Sequence, residues 1–176
     1  MFDRSPAHVT PYRGVSDSIN AMLRAANGPR GVTNPAVRLA AEHITRQIAP
    51  KDYLSEVIAV RHWVNKHVPY LRDPISVEWV RDPVALLEQV DKHGIARADC
   101  DEIALLIASL WMALGNRADF ATVGFVSSRE PPTHVLARCW IPKSNVPIVC
   151  DPVAGTREPK MLQSVRTLRT YPIAGG

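Results

Sequence analysis

Cys100 stands between two aspartates in Asp99-Cys100-Asp101-Glu102, directly ahead of the apolar stretch Ile103 to Leu114. A thiol at the start of a helix faces unpaired backbone N–H groups and the positive end of the helix dipole, and both favour thiolate over thiol. The chain also carries His134, within PPTHVLARCW, and Asp151, within VCDPVAG, each in a strand-like run. A nucleophile, a base and an orienting carboxylate are the parts of an acyl-transfer site. The carboxylates beside Cys100 oppose the thiolate, so the cysteine needs a cation near it, and an imidazolium at His134 would serve.

These residues need elements to hold them. The spacing predicts a short helix from Asp17 to Ala26 capped by Ser16, and Asn34-Pro35 gives a cap followed by proline at the first helical position of a helix to Ile48. Asp52 caps a third helix, Tyr53 to His67, with Val57, Val60, Trp63, Val64 and Val68 on one face. Val68 to Leu71 is short and extended. Asp82-Pro83 repeats the cap-plus-proline signal for a helix through Gln89 that ends near Gly94. The cysteine helix, Asp99 to Leu114, is apolar nearly all round and must therefore be buried.

After Gly115 the period shortens, and Phe120 to Val126, His134 to Ile141 and Val146 to Cys150 read as strands. Along the second of these, His134, Leu136, Arg138 and Trp140 share one face and Val135, Ala137, Cys139 and Ile141 the other. A hairpin that sets His134 opposite Asp151 would put Cys150 against Val135 and Cys139 against Val146. Those two cysteines would then not be neighbours and would point away from the site. Helices followed by strands give an α+β domain with a central helix against an antiparallel sheet.

Bulk properties exclude several function classes. At 46% hydrophobic and 22% charged, 176 residues can bury a core without a disulfide or metal staple. No apolar run reaches the about 20 residues of a membrane helix, and MFDRSPAHVTPYRGV lacks the apolar segment of a Sec signal, so the expected compartment is a cytoplasm. The net charge of +4 is spread out, with a modest cluster at Arg157, Lys160, Arg166 and Arg169, and no nucleic-acid partner is expected. Three cysteines without CxxC or HExxH spacing suit free thiols, and neither a metal nor a cofactor is expected.

Cysteine, histidine and aspartate in that order, the first opening a central helix and the others on successive strands, resemble the transglutaminase-like superfamily, which has a papain-like fold. RHWVNKHVPYLRDPISVEWVRDPVALLEQ, followed by the DCDE segment, extends the likeness over Ser55 to Pro152. That stretch is similar to the short stand-alone transglutaminase-like proteins of bacteria and their phages. Such proteins usually have glycine two residues before the cysteine. Here Ala98 stands there, so the turn into the helix is built differently or carries strain.

The resemblance implies Cys100, His134 and Asp151 as a catalytic triad acting on peptide or isopeptide amides, peptidoglycan cross-bridges included. It also implies an upstream oxyanion donor beside the Cys100 N–H, for which Tyr70 and Trp79 are the candidates. No segment reads as a calcium loop, which favours hydrolysis over cross-linking. In this reading residues 1–33 are an N-terminal arm, 34–154 the catalytic domain and 155–176 a basic tail. The alternative is a phage-particle component that kept the fold with little or no catalysis, its arm reaching an assembly partner; a phage-encoded chain would work in the host cytoplasm or the virion.

Overall fold

In the computed structural model, which describes residues 8–11, 15–73, 77–129, 131–151 and 163–174, four side-chain caps start four helices. After strand β1 (His8–Pro11) and helix α1 (Val15–Asn27) come α2 (Pro35–Thr45) and α3 (Tyr53–His67). Strand β2 (Val77–Val80) then leads to α4 (Pro83–His93) and α5 (Cys100–Ala113). Asn34 caps α2 by accepting the Ala36 N–H at 2.9 Å, and Asp52 caps α3 through Ser55 N–H at 3.2 Å. Asp82 does the same for α4 at Ala85 N–H, 2.8 Å, and Asp99 for α5 at Glu102 N–H, 3.4 Å. Gly94 (φ 75°) and Gly115 (φ 86°) take the left-handed conformation that ends α4 and α5.

The remaining strands are β3 (Arg117–Gly124), β4 (His134–Trp140), β5 (Pro147–Cys150) and β6 (Thr167–Pro172). They form an antiparallel sheet in the order β5-β4-β3-β6, while β1 and β2 pair as a separate two-stranded ribbon. The protein is thus α+β, with five helices among the described residues and a cysteine-bearing helix at the centre. Every residue of α5 from Asp101 to Ala113 is buried. That all-round burial requires neighbours on all sides, and α5 touches α1, α2, α3, α4, β3 and β4.

Strand alternation sorts the sheet into two faces. Ala118, Phe120, Val135, Ala137, Cys139 and Cys150 join α5 in the main core. Ala121, Val123 and Leu136 make a smaller cluster with Phe125, Val149 and Val165.

Several expectations change. α1 begins at Val15, so Ser16 lies within its first turn instead of capping it. α1 also buries Ile19, Ala21 and Met22 in the main core, which makes this part of the expected arm a core element. Residues 167–172 of the expected tail form β6, paired with β3 at the sheet edge. α2 stops at Thr45, short of Ile48, where the Thr45 hydroxyl donates to Ala41 O and the Ile48 N–H to Thr45 O. β3 starts three residues early, because the in–out alternation already begins at Arg117 and Ala118.

The β4–β5 register also differs. Cys150 pairs with Ala137 and Cys139 with Ile148, two residues away from the expected alignment. A shift of two preserves the faces, since side chains alternate with a period of two.

Candidate active site

The segment before α5 is stitched to the strand-like stretch upstream of it. Leu71 N–H donates to Ala98 O at 2.7 Å, Ala98 N–H to Pro69 O at 3.4 Å, and Ala96 N–H to His67 O at 2.9 Å. Tyr70 and Ala98 form a parallel bridge. Ala98 is therefore extended and buried, and it is not among the residues with positive φ. The turn is made without the backbone freedom of glycine, and it carries no strain of that kind. Two residues later Cys100 opens α5, half-buried, where helix geometry leaves the first amides without intrahelical acceptors.

His134 opens β4 and Asp151 directly follows β5. The two-residue change in register makes them diagonal neighbours on one face, and His134 Nε2 lies 2.7 Å from Asp151 Oδ2. The Asp151 carboxylate is fully buried, while 14% of the His134 side chain is exposed. Burial by itself would lower the imidazole pKa. The hydrogen bonds to Asp151 and to Cys100, with the charges of both, outweigh it and push His134 up to about 10. Since Nε2 faces Asp151, Nδ1 is the ring nitrogen left for the Cys100 side chain. Cys100, His134 and Asp151 are thus brought together in a chain of contacts, with a histidine that stays cationic at neutral pH.

Of the two expected oxyanion donors, Tyr70 is bridged to Ala98, two residues before Cys100. Burial raises its phenol pKa, and the charges at Cys100 and Asp99 raise it further, which puts the ring within electrostatic reach of the thiol. It is 45% exposed. Trp79 is held on β2, where its backbone N–H donates to Asp73 Oδ2 at 2.6 Å. The Phe125 ring lies near the imidazole, ring centroids 6.4 Å apart.

Cys139 and Cys150 point to the α5 side of the sheet, on the face opposite the one that carries His134 and Asp151. Contrary to expectation they are neighbours: as a diagonal pair their sulfurs come within 3.9 Å, and both are free and buried. Burial, and then the neighbouring Cys150, raise the Cys139 thiol well above its ordinary value, as befits an inert core cysteine. Among the described residues no group of three or more His, Cys, Asp or Glu side chains has an arrangement that could hold a metal ion.

One pair of residues at the site carried no role in the sequence reading. Glu102, fully buried in the first turn of α5, accepts from Arg81 Nε at 2.7 Å, Arg81 Nη2 at 2.6 Å and the Arg81 backbone N–H at 2.8 Å. Burial pushes the Glu102 carboxyl up and Arg81 opposes that, while the same bonds raise the Arg81 guanidinium against its own burial. A signal existed: acidic residues at the start of an otherwise apolar, buried helix require donors or a cation.

No family model matches the chain, and no curated protein does. Solved structures do. The crystal structure of a "putative protease" from Parabacteroides distasonis aligns over 74% of this chain at TM-score 0.54 and 14% identity. That of a "putative cysteine protease" from Cytophaga hutchinsonii aligns over 86% of this chain at TM-score 0.55 and 16% identity. The likeness is one of fold, consistent with a papain-like arrangement. This chain spans only 26% and 46% of those two chains. No helix among the described residues is long and apolar enough to cross a membrane.

Proposed function

We propose that the protein is a cysteine-dependent acyl-transfer enzyme of the transglutaminase-like type, which hydrolyses peptide or isopeptide amides through Cys100, His134 and Asp151. The observation that carries this reading is the placement of the His134 imidazole, with Nε2 2.7 Å from the buried Asp151 carboxylate and the ring within hydrogen-bond reach of Cys100. The protease names of the two structural neighbours agree with it.

In the first step the Cys100 thiolate attacks the amide carbonyl carbon and the carbonyl π pair moves onto oxygen. The Cys100 N–H at the helix N-terminus donates to that oxyanion, with Tyr70 as the second donor. As the tetrahedral adduct collapses, the His134 imidazolium gives its proton to the leaving nitrogen, the C–N bond breaks and a thioester remains. Water then attacks the thioester while His134 takes its proton. The C–S bond breaks, and the acid leaves with the thiolate–imidazolium pair restored. Asp151 keeps the ring oriented throughout.

The assembly reading loses ground, because two segments that motivated it, residues 15–27 and 167–172, are used inside the fold. The test is to incubate the protein and its Cys100→Ala variant with a proteome-derived peptide mixture and a biotinylated primary amine. New amine termini that depend on Cys100, without biotin incorporation, support hydrolysis. Biotin incorporation would instead make the enzyme a cross-linker, and no Cys100-dependent product of either kind contradicts the proposal.

A further inference from the structure

Cys100 opens its helix in an acidic setting. Asp99 and Asp101 flank it and are both buried, Glu102 is the next residue along, and Tyr70 of the upstream segment is bridged to Ala98. Across the site, His134 brings one cation together with the Asp151 carboxylate. Taken alone, this count of carboxylates disfavours a thiolate. Arg81 enters the same cluster from the end of β2. Its guanidinium grips both Glu102 oxygens, donates from Nη1 to Gln89 Oε1 at 2.9 Å and from Nη2 to Arg97 O, and feels the charges of Asp73 and Asp99. With only 13% of its side chain exposed, it is a desolvated ion pair. One fork thereby ties together the first turn of α5, the α4 helix and the segment leading to Cys100.

We propose that Arg81 is a positioning residue for Cys100: through Glu102 it fixes the first turn of α5, and its charge offsets the carboxylates around the thiol. The inference rests on Cys100 being the nucleophile proposed above. A purely structural ion pair would set stability alone. A charge-compensating one also sets the pH at which Cys100 becomes reactive, with opposite signs for its two members.

The test is the rate of Cys100 carbamidomethylation by iodoacetamide, followed by peptide mass spectrometry from pH 4 to 9. It is run on the full chain and on Arg81→Gln, Glu102→Gln and Arg81→Lys, each shown to be folded by near-ultraviolet circular dichroism. Removing the carboxylate in Glu102→Gln shifts the acid limb of the rate profile down by about one pH unit, and removing the cation in Arg81→Gln shifts it up by about one. Arg81→Lys, which keeps the charge but not the fork, returns the limb to the wild-type position. Limbs that superpose in all variants, or that move the same way in both glutamine variants, overturn the proposal. Should Arg81→Gln fail to fold, the other two decide, and an unmoved limb in Glu102→Gln overturns it. Failure of the underlying function looks different: Cys100 of the wild type would react no faster than Cys139 and Cys150.

Discussion

His134 Nε2 and Asp151 Oδ2 meet at 2.7 Å across the β4–β5 hairpin as a diagonal pair, with the carboxylate fully buried. A buried carboxylate needs a charged or donating partner, and an imidazole with one polar side toward Cys100 is the partner the fold provides. Each member therefore depends on the other.

Histidine side-chain resonances followed by nitrogen-detected NMR will show His134 titrating near pH 10, far above the ordinary 6.5. In Asp151→Asn the midpoint falls by about two units or more, because burial then acts with less opposition. A wild-type midpoint near 6.5 would show that the imidazole is not held between two anions.

The same pair makes stability depend on pH in a defined direction. The folded imidazole keeps its proton up to about 10, whereas the unfolded one loses it near 6.5. The stabilisation is full below about pH 6.5 and is lost as pH rises toward 10. In denaturant titrations the advantage of wild type over His134→Gln should thus shrink by a few kcal/mol between pH 6 and pH 10. An advantage that grows over that range contradicts the assignment.

Asp82 joins two jobs away from the thiol. It caps α4 through Ala85 N–H at 2.8 Å and pairs with Arg30 Nε at 3.0 Å. Asp82→Ala should cost about 1–2 kcal/mol in urea unfolding, most of it from the lost cap. Asp82→Asn keeps a capping oxygen and gives up a partly exposed ion pair, so it should cost under about 1 kcal/mol. Equal losses in both variants would shift the credit from the cap to the charge.

Core weight rests on α5. Leu106 is fully buried near the middle of that helix. Leu106→Ala should destabilise the protein by about 2–5 kcal/mol, measured by the same unfolding, while leaving the far-ultraviolet spectrum unchanged at low temperature.

The helices were legible because their ends are written in local chemistry: Asn34-Pro35, Asp52, Asp82-Pro83 and Gly94 each act within a turn of their own position. The buried cysteine helix and the two faces of β4 were legible from periodicity. What escaped depends on partners distant in sequence. β1 and β2 exist by pairing with each other, residues 167–172 by pairing with β3, and α1 is core through its contact with α5. The hairpin register shifted by two because the turn between β4 and β5 is set by Lys143 at φ 68° and by Ser144, with no glycine to announce it. Ser144 N–H donates to Ile141 O and its hydroxyl bonds Val146, yet the period of two kept His134 and Asp151 on one face. Arg81 escaped because its role exists only once Glu102 is 21 residues away in sequence and under 3 Å away in space.

The most direct measurement is the relative rate at which substoichiometric iodoacetamide labels the three thiols of the folded protein at pH 7, repeated in His134→Ala. The account predicts that Cys100 is labelled at least tenfold faster than Cys139 and Cys150, which the core encloses, and that His134→Ala removes most of that lead. Equal rates for the three thiols, or a Cys100 rate that His134→Ala leaves unchanged, would contradict it.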